Sequence, residues 1–393
     1  MREDLGIKER IVIYSWNIPK GGLPKVILKE YYFFRDNGFD VTLVTSEGGS
    51  HFAYFDDLSK AGMIILGSDE PKKRGKRRDI SYFFPGLTVL IQDTLTNNII
   101  KLFKFLRHQK PDIVIAHQLL SGLMVAPFCL LFRINIVLVL HDNPYLFLEN
   151  GRNKSLKQKF INSVTYAVTR LAFFYSHRIV FTSETIARNT EKHINVGNRG
   201  VVADYGIDAF PKKDLKREFV TVVSKWSRFR KPQAYLELRK LLPSDIILVM
   251  AGRWDSEEEY SEFKNDAIHA NYSDSLIIIK ELSEEELSDL YDRTRVFVRL
   301  GFNESGTGQA ILEAIGHGCP VVISKSIGAS SLIENGRQGF LVDETNLNEV
   351  MDKVSQILRD DKLFAHMSKA CYELGSSNGW ENYLNKLREC IML

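Results

Sequence analysis

The chain has 393 residues, of which 44% are hydrophobic and 26% are charged, and its formal net charge at pH 7 is +3. This near-balance of charges excludes a strongly basic nucleic-acid-binding protein and a strongly acidic solvating chain. The composition is that of an ordinary globular protein, and because a domain usually has about 100–200 residues, the length predicts two domains.

Neither the cysteines nor the apolar segments indicate a metal site, a secreted protein or a membrane span. The four cysteines lack Cys-x-x-Cys or Cys/His spacing, which predicts reduced thiols rather than a zinc site or a disulfide framework. The start, Met1–Arg10, is charged, unlike a signal peptide. The most apolar region, 113–140, is interrupted by His117, Pro127 and Arg133, whereas a spanning helix requires about 20 uninterrupted apolar residues. We expect a cytoplasmic protein that is soluble or at most peripheral to a membrane.

Short apolar runs alternate with amphipathic segments along the chain, a pattern that predicts strand–helix units and parallel sheets. In the first half, strands are expected at Ile11–Ser15, Val41–Thr45, Met63–Leu66, Ile113–Ala116, Ile136–Leu140 and Arg178–Thr182, and helices at Gly22–Asn37, Thr94–Gln109, Leu119–Phe132 and Ser155–Tyr175. In the second half, strands are expected at Phe219–Ser224, Ile246–Ala251, Leu276–Lys280, Val296–Arg299, Pro320–Ser324 and Gly339–Val342, and helices at Lys231–Leu241, Ser256–Asn271, Ser283–Thr294, Gln309–His317, Ser330–Glu334 and Asn346–Asp360.

This pattern predicts an α/β protein with two doubly wound, Rossmann-like domains rather than one long sheet. The polar stretch Tyr205–Glu218 is the expected linker. We therefore predict an N-terminal domain over 1–210, a C-terminal domain over 211–376, and a terminal helix within 377–393 that packs back on the N-terminal domain. Ligands of such sheets bind at the carboxyl ends of the strands, so a cleft between the two domains is the expected site.

The loop after the first predicted strand contains Gly21 and Gly22 and opens the first helix. Glycines let backbone N–H groups approach a ligand, and a helix N-terminus favours an anion such as phosphate. The same residues also suit a plain strand–helix turn, and the motif alone leaves both interpretations open.

A second glycine-containing loop, Arg299–Gly308, precedes a predicted helix of the second half. Its Gly306-Thr307-Gly308 matches a dinucleotide fingerprint only in part, because Ile311 stands where the third glycine should fall, so NAD is poorly supported. Glu313 follows in the first turn of the helix. A carboxylate there can accept hydrogen bonds from sugar hydroxyls while N–H groups bind a phosphate.

Cations follow a predicted strand of the second half, with Ser224-Lys225 at its end and Arg230-Lys231 a turn later. They would neutralise a diphosphate leaving group, which is the electrostatic task of a transferase that breaks a sugar–phosphate bond. A solvated basic loop has the same composition and is the alternative.

Together these segments are similar to the donor-site signature of glycosyltransferase family 4, whose members have the two-domain GT-B fold and are retaining. The signature segments are Gly308-x4-Glu313-Ala314, Gly318-Cys319-Pro320-Val321-Val322 and Gly336-x2-Gly339-Phe340-Leu341-Val342. The resemblance extends to Gly21-Gly22, His141-Asp142, Tyr205-Gly206-Ile207-Asp208, and the pairs Ser224-Lys225 and Arg230-Lys231, where the family usually has Gly-Arg and Arg-Lys-Gly. The matches cover most of the chain in the expected order.

The resemblance implies a role for each matched residue. Glu313 would hold the nucleotide ribose, Lys225 and Lys231 would bind the donor diphosphate, and His141 would hydrogen-bond a hydroxyl of the donor sugar. Of these residues, His141, Lys225 and Lys231 are catalytic candidates, together with Glu304. The other donor-binding candidates are Gly21, Gly22, Ser224, Arg230, Ser305, Gly306 and Gly308.

One departure from the family pattern concerns its first glutamate, which lies eight positions before the second and therefore falls on Ser305. Glu304 is one residue earlier, in a loop with an extra glycine. We favour a one-residue bulge that returns Glu304 to the site, because Gly306 and Gly308 allow unusual backbone angles. The alternative, in which Ser305 replaces the acid, would impair donor binding or activity.

The resemblance implies retaining transfer of a hexose-type sugar from a UDP- or GDP-linked donor to a hydroxyl of a glycan or lipid-linked oligosaccharide, in the synthesis of cell-envelope polysaccharide or glycoprotein glycans. The leaving diphosphate, stabilised by Lys225, Lys231 and helix N-termini, would help deprotonate the incoming hydroxyl. No Asp-x-Asp motif lies where a metal-dependent enzyme needs one, so we expect neither a metal nor a cofactor besides the donor.

Two segments point to an anionic membrane surface, at the inner face of a membrane. The window 72–78 has six basic residues out of seven, and each cation near such a surface is worth about 1 kcal/mol. The segment 154–175 repeats apolar residues at helical spacing and begins with three lysines. A solvated loop and a helix that merely covers a sheet are the alternatives.

Three other functions compete with sugar transfer. A sugar-nucleotide epimerase is compatible with the fold, but Lys225, Lys231 and Glu313 fit transfer better. A non-catalytic partner subunit could keep the fold and lack the first acid. An NAD-dependent oxidoreductase is opposed by the incomplete glycine motif, and nucleic acid is not expected as a partner.

Overall fold

The computed structural model describes residues 8–18, 22–46, 54–67, 98–145, 156–302 and 306–392. The chain forms two compact units. The first comprises Met1–Thr182, Ile186–Ala203 and Leu384–Leu393, and the second comprises Ser183–Thr185 and Asp204–Tyr383. The main change of unit therefore falls between Ala203 and Asp204, ahead of the expected boundary at 210.

The first unit is built on seven parallel strands in the order β3-β2-β1-β4-β5-β6-β7. Its strands are apolar and mostly buried, as expected for a parallel sheet whose faces are covered by helices. The strands are β1 (Arg10–Ser15), β2 (Asp40–Thr45), β3 (Ile64–Ile65), β4 (Ile113–His117), β5 (Asn135–Leu140), β6 (Arg178–Phe181) and β7 (Gly200–Val202). The helices are α1 (Leu23–Asp36), α2 (Phe55–Lys60), α3 (Asn98–Gln109), α4 (Gln118–Phe132), α5 (Leu156–Tyr175) and α6 (Glu184–Glu191), followed by a short 3-10 helix at Gly197–Arg199.

The second unit has six parallel strands in the order β10-β9-β8-β11-β12-β13, which is the Rossmann arrangement. The strands are β8 (Phe219–Val223), β9 (Ile247–Ala251), β10 (Leu276–Ile279), β11 (Thr294–Arg299), β12 (Val321–Ser324) and β13 (Gly339–Val342). The helices are α7 (Gln233–Leu241), α8 (Glu257–His269), α9 (Glu284–Asp292), α10 (Gln309–Gly316), α11 (Leu347–Arg359) and α12 (Asp361–Ser377), with 3-10 helices at Arg228–Arg230 and Gly328–Leu332. The last helix, α13 (Trp380–Met392), begins in this unit and ends in the first.

In each sheet the chain order reverses at one place, between β1 and β4 in the first unit and between β8 and β11 in the second. At the first reversal, Ser15 pairs with His117 at the carboxyl ends of β1 and β4. Crossover connections leave to opposite sides at such a point, which opens a crevice at the carboxyl edge of the sheet. Ligand-binding residues are therefore expected at these two edges.

The predicted strands and the predicted long helices are present, with ends that shift by a few residues, but one strand and three helices were missed. These are β7, α2, α6 and α12, while the segment expected as a helix at Ser330–Glu334 is the 3-10 helix Gly328–Leu332. Helix α12 was missed because it follows α11 directly. Asp360 separates the two helices and caps α12 by accepting hydrogen bonds from the N–H groups of Lys362 and Leu363.

The four cysteines, Cys129, Cys319, Cys371 and Cys390, are all buried and none forms a disulfide bond. Burial raises the pKa of Cys129 to about 12, and it raises that of Cys319 to about 12 against the opposing effect of Arg217. These thiols therefore pack as small apolar side chains.

The Tyr205-Gly206-Ile207-Asp208 motif fixes the chain at the start of the second unit. Gly206 lies directly against the backbone of Trp380, so that a Cβ atom there would overlap it. The Ile207 N–H donates to the Asn378 carbonyl at 2.7 Å, and the Tyr205 and Trp380 rings are 5.5 Å apart. The glycine is thus required by the close approach of two backbones.

We expect Gly206→Ala to lower the free energy of unfolding by about 1–3 kcal/mol, because the added methyl group must displace the Trp380 backbone. Gly379→Ala is the matched control in the same region, since a Cβ at Gly379 meets no atom within 4 Å. Gly379 directly precedes Trp380, the first residue of α13. Gly379→Ala should therefore lower the free energy of unfolding by less than about 1 kcal/mol, the range for a change of N-cap residue. Urea unfolding followed by circular dichroism measures both, and equal effects would contradict the packing argument.

Candidate active site

In the first unit, β1 leads into α1 through a loop whose first residues are held by two hydrogen bonds. The Trp16 N–H donates to Ser121 Oγ at 2.9 Å, and Ser15 Oγ donates to the Asn17 carbonyl at 2.7 Å. Gly22 is the N-cap of α1 and provides no side-chain cap, so this helix can offer its first N–H groups to an anion. Gly21 lies outside the described residues.

His141 follows β5 and stacks on His117, which ends β4, with ring centroids 5.1 Å apart and an interplanar angle of 10°. Nδ1 of His117 and Nε2 of His141 are 2.9 Å apart, and Nε2 of His117 lies 2.8 Å from Glu30 Oε2 on α1. Burial, and secondly the charge of His117, hold the pKa of His141 well below its usual value. His141 is therefore a neutral imidazole at pH 7, suited to hydrogen bonding rather than to carrying a charge.

In the second unit, the loop after β8 places the predicted cations together. Ser224 is nearly buried, and its Oγ accepts a hydrogen bond from Arg230 at 3.2 Å. Lys225 forms an ion pair with Asp255 at 2.8 Å, and both side chains are about half exposed. Lys231 lies over the Phe302 ring, with Nζ 4.7 Å from the centroid. The loop after β8 thus carries the three predicted cations, Lys225, Arg230 and Lys231, at the carboxyl edge of the sheet.

Lys231 has a φ of +47°, which is uncommon for a residue other than glycine. It caps the 3-10 helix Arg228–Arg230, and its N–H donates to the Arg228 carbonyl at 3.2 Å. Left-handed non-glycine residues concentrate at functional sites, where the surrounding structure maintains the strain. The backbone of this loop is therefore consistent with a binding role for the Lys231 side chain.

The glycine loop before α10 is held by the segment that follows β12. The Gly306 carbonyl accepts from the Gly328 N–H at 2.9 Å, and the Thr307 carbonyl accepts from the Ala329 N–H at 3.1 Å. Gly308 is the N-cap of α10 with a φ of +76° and no side-chain cap. Glu304 and Ser305 lie outside the described residues, so the assignment of the first acid to Glu304 stays a prediction.

Glu313, on α10, is partly buried and accepts a hydrogen bond from the Tyr291 hydroxyl at 3.2 Å. Burial and the neighbouring carboxylate hold the pKa of Tyr291 well above its usual value. The phenol therefore stays protonated and orients the carboxylate as a donor. Tyr291 lies in the last turn of the amphipathic helix α9, and its apolar-face position gave no signal in the sequence that it contacts Glu313.

Arg299, at the end of β11, was also missed as a site residue. It is 5% exposed, and its Nη1 donates to the carbonyl of Val223, the last residue of β8, at 2.7 Å. It thus lies at the point where the strand order reverses in the second unit. An arginine at the end of the apolar run Thr294–Arg299 is the signal that could have identified it.

Within the part of the chain that the structure describes, no group of three or more His, Cys, Asp and Glu side chains is arranged to hold a metal ion. Among the described residues, no helix is long and apolar enough to cross a membrane.

Glycosyltransferase families match both halves of the chain. The family "Glycosyltransferase Family 4" matches residues 20–209, and the family "Glycosyl transferases group 1" matches residues 207–374. Among curated relatives, the chain is 25% identical over 374 residues to the UDP-Gal:alpha-D-GlcNAc-diphosphoundecaprenol alpha-1,3-galactosyltransferase of Escherichia coli, covering 89% of this chain and 88% of that protein. It is 22% identical over 355 residues to the capsular polysaccharide biosynthesis glycosyltransferase CapM of Staphylococcus aureus, covering 84% and 83%.

Solved structures show the same fold over nearly the full length. Sucrose-phosphate synthase from Thermosynechococcus elongatus superposes with a TM-score of 0.78 at 14% identity, covering 97% of this chain and 98% of that chain. Anabaena HepE in complex with UDP and glucose superposes with a TM-score of 0.75 at 15% identity, covering 97% and 99%. The two parallel-sheet Rossmann-like units are those of the GT-B class of glycosyltransferases. The chain belongs to glycosyltransferase family 4.

We expect Tyr291→Phe to lower the free energy of unfolding by about 1–2 kcal/mol, because it removes a hydrogen bond to a carboxylate and keeps the ring. Tyr260→Phe is the control in the same unit, since the Tyr260 hydroxyl has no hydrogen-bond partner among the described residues. Thermal and urea unfolding of both variants measure the difference. Equal stabilities would show that the Tyr291 hydroxyl does not hold Glu313.

Proposed function

We propose that this protein is a retaining glycosyltransferase that moves a hexose from a nucleotide-sugar donor to a hydroxyl of a glycan or lipid-linked acceptor. The observation that carries the proposal is that the second unit combines the cations of the loop after β8 with α10, the helix after β11 that carries the oriented carboxylate of Glu313. Cations suit the diphosphate of such a donor, and a carboxylate suits the two hydroxyls of its ribose.

The donor proposed is UDP- or GDP-linked, and a UDP-hexose is favoured. The relative from Escherichia coli that matches nearly the whole chain is named for a UDP-Gal donor, and the similar HepE structure holds UDP and glucose. A shorter match, 29% identical over 144 residues, is to a GDP-mannose-dependent alpha-mannosyltransferase of Corynebacterium glutamicum. Lys225, Arg230 and Lys231 would bind the diphosphate of either donor.

Transfer is proposed to proceed without a metal ion. Lys225 and Lys231, with the N-terminus of α10, would stabilise the negative charge that develops on the leaving diphosphate. That diphosphate would accept the proton of the incoming hydroxyl on the same face of the sugar, which gives retention. Binding both substrates in one orientation supplies the remaining rate enhancement. No cofactor besides the donor is proposed.

The acceptor is proposed to be a lipid-linked or polysaccharide glycan of the cell envelope. The relatives named for diphosphoundecaprenol-linked substrates come from Escherichia coli and, at 24% identity over 247 residues, from Campylobacter jejuni, and CapM is named for capsular polysaccharide. A lipid carrier would present such an acceptor at a membrane surface.

We propose peripheral attachment of the first unit to the inner face of an anionic membrane. Neighbouring helices α4 and α5 carry large apolar side chains that are 50–72% exposed in their last turns, namely Leu130, Leu131, Leu171 and Phe174. Apolar side chains in this number favour an interfacial location. The basic window 72–78 would add electrostatic attraction, and it lies outside the described residues. Reduced, buried cysteines fit the cytoplasmic side.

We expect UDP-hexoses to raise the unfolding temperature in a thermal-shift panel, since a ligand at 100 times its Kd stabilises the folded state by about 2.7 kcal/mol. Lys225→Ala and Glu313→Gln should each weaken this shift. Lys280→Ala is the matched control. Lys280 lies in the same unit as Lys225, and it forms an ion pair with Glu257 at 3.0 Å, as Lys225 does with Asp255. A larger shift with GDP-sugars would instead assign the other base.

Transfer itself is measured with the donor that binds and a lipid-diphosphate acceptor. Retention predicts an α-linked product from an α-linked donor, and activity should persist in EDTA. Glu304→Ala should abolish turnover if that residue is the first acid, whereas Ser305→Ala should do so if the serine has replaced it. Donor binding without turnover in any condition would identify a non-catalytic protein and overturn the proposal.

We expect the protein to co-float with vesicles containing anionic phospholipid at low salt and to remain free with neutral vesicles. The double variant Leu131→Ser, Phe174→Ser should reduce flotation. Ile268→Ser, which changes an apolar side chain of similar exposure (49%) on α8 of the second unit, should leave it unchanged. Equal flotation of all three proteins would exclude the apolar patch as the attachment surface.

A further inference from the structure

A cavity of about 1020 Å³ lies at the amino edge of the second unit's sheet, where the strands begin. This amino-edge cavity is lined by residues 212–217 ahead of β8, by Arg295 near the start of β11, and by one face of α12. All of its lining residues belong to the second unit. Arg299, at the carboxyl end of β11, is four residues from Arg295, or about 13 Å along the strand. The cavity is therefore separate from the edge at which the donor is proposed to bind.

Helix α12 forms one wall of the amino-edge cavity with side chains of mixed chemistry. Phe364, Ser368 and Tyr372 line the cavity at intervals of four residues, and residues at this spacing lie on one side of a helix. Lys369, next to Ser368, adds a cation to the same wall. This wall thus offers aromatic rings for an apolar group together with polar side chains.

Arg217, which also lines the cavity, carries a positive charge without a carboxylate partner among the described residues. Its guanidinium donates to the carbonyls of Thr294 and His317, to the Tyr372 hydroxyl at 3.0 Å and to Cys319 Sγ at 3.5 Å. All four acceptors are neutral, and an arginine in a protein does not lose its proton. A positive charge is therefore held at the cavity wall and would attract an anion.

Arg295 has hydrogen-bonding capacity that the fold does not use. Its Nη2 donates to the Asp361 carboxylate and to the carbonyls of Ile357 and Leu358, and its guanidinium lies 4.3 Å from the centroid of the Phe364 ring. Its Nε is buried and has no hydrogen-bond partner among the described residues, whereas buried N–H groups are nearly always paired. Asp361 is 90% exposed, and an ion pair to so exposed a carboxylate contributes little. Arg295 can therefore exchange Asp361 for a ligand anion at small cost.

The lysines that line the cavity differ in their availability. Lys213 lies between Asp289 at 3.1 Å and Asp292 at 2.7 Å, so its charge is already neutralised. Two other lysines each have a carboxylate partner, at 3.3 and 3.8 Å. Lys212 is exposed and forms no ion pair with a described residue. The cations available to a ligand are thus Lys212 and Arg295, beside the fixed charge of Arg217.

The size and chemistry of the amino-edge cavity indicate the kind of ligand. Pockets for small organic molecules have volumes of about 300–1,000 Å³, and this cavity lies at the upper end of that range. A planar guanidinium matches the oxygens of a phosphate group, with two parallel hydrogen bonds. The rings of Phe364 and Tyr372 suit an apolar or aromatic group beside that phosphate.

We propose that the amino-edge cavity is a binding site for a small organic phosphate, a phosphate ester with an apolar or aromatic group. Arg295 and Lys212 bind the phosphate near the charge of Arg217, and the apolar group contacts Phe364 and Tyr372. The proposal does not rest on the transferase function, because none of these residues belongs to the donor site.

The probe that tests this site is 1-naphthyl phosphate, which joins a phosphate to an aromatic group. Calorimetric titration in saturating UDP keeps the probe out of the donor site, and we expect one remaining site per chain. Inorganic phosphate should bind this site more weakly than the probe, because it lacks the aromatic group. 1-Naphthol, which lacks the phosphate, should also bind more weakly.

Arg295→Gln should weaken probe binding about 10- to 100-fold, since it removes a hydrogen bond from a charged donor. Lys212→Ala should weaken it about 2- to 5-fold, as expected for an exposed charge, and this variant removes no contact of the described fold. Arg293→Gln is the matched control, because Arg293 lies two positions before Arg295, pairs with Glu218 and does not line the cavity. Its affinity for the probe should equal that of wild type.

Three results would overturn the proposal. One is the absence of any probe binding in saturating UDP, and another is equal affinity of wild type, Arg295→Gln and Lys212→Ala. If Arg295→Gln does not fold, Lys212→Ala compared with Arg293→Gln decides. The third is tighter binding of a glutamate-rich peptide that displaces the probe, since the cavity would then fit a protein partner. A failure of the transferase function gives a different result, because UDP would not bind and the effects of the variants on the probe would remain.

Discussion

Parallel strand pairing is the constraint on which the rest of this structure depends. In a parallel sheet all strands end at one edge, and crossover helices cover both faces, so polar side chains are accommodated at the strand ends rather than on the faces. Both units follow this rule. His117 and Arg299 are the last residues of β4 and β11, while His141 and Ser224 directly follow β5 and β8. The hydrogen bond from Arg299 to the Val223 carbonyl joins the two strands at which the order reverses.

The polar groups at these edges differ in how strongly they are constrained. The Lys225–Asp255 pair is about half exposed, and such a pair contributes little to stability, so Lys225 is free to exchange its partner for a ligand phosphate at small cost. Glu30, His117 and Tyr291 are buried, and each is hydrogen-bonded in a defined geometry. Buried, hydrogen-bonded groups orient their neighbours before a substrate arrives, which is the basis of preorganised catalysis.

The family signature combines residues that serve the fold with residues that serve chemistry. Gly206 allows two backbones to approach each other, and Gly339, with a φ of +155°, lies where a Cβ atom would overlap the Val321 backbone. Cys319 is buried, and its thiol donates to the Tyr291 carbonyl at 3.1 Å. By contrast, Glu313 and Lys231 are placed by these elements but are not needed to build them. The signature is therefore specific for the family, because residues of both kinds must be present in the same order and at the same spacing.

The sequence by itself determined the α/β class, the two Rossmann-like units, every strand except β7, and the family, since hydrophobic periodicity and glycine spacing are local properties. It also located His141, Lys225, Lys231 and Glu313 at strand or helix ends. Only the tertiary structure decided which partners these side chains have: Glu30 and His117 for His141, and Tyr291 for Glu313. Glu30 and His117 are 87 positions apart, and Glu30 sits within an otherwise apolar helical face that looks like ordinary core. Such contacts arise from the pairing of distant strands and the packing of a crossover helix, and no local pattern encodes them.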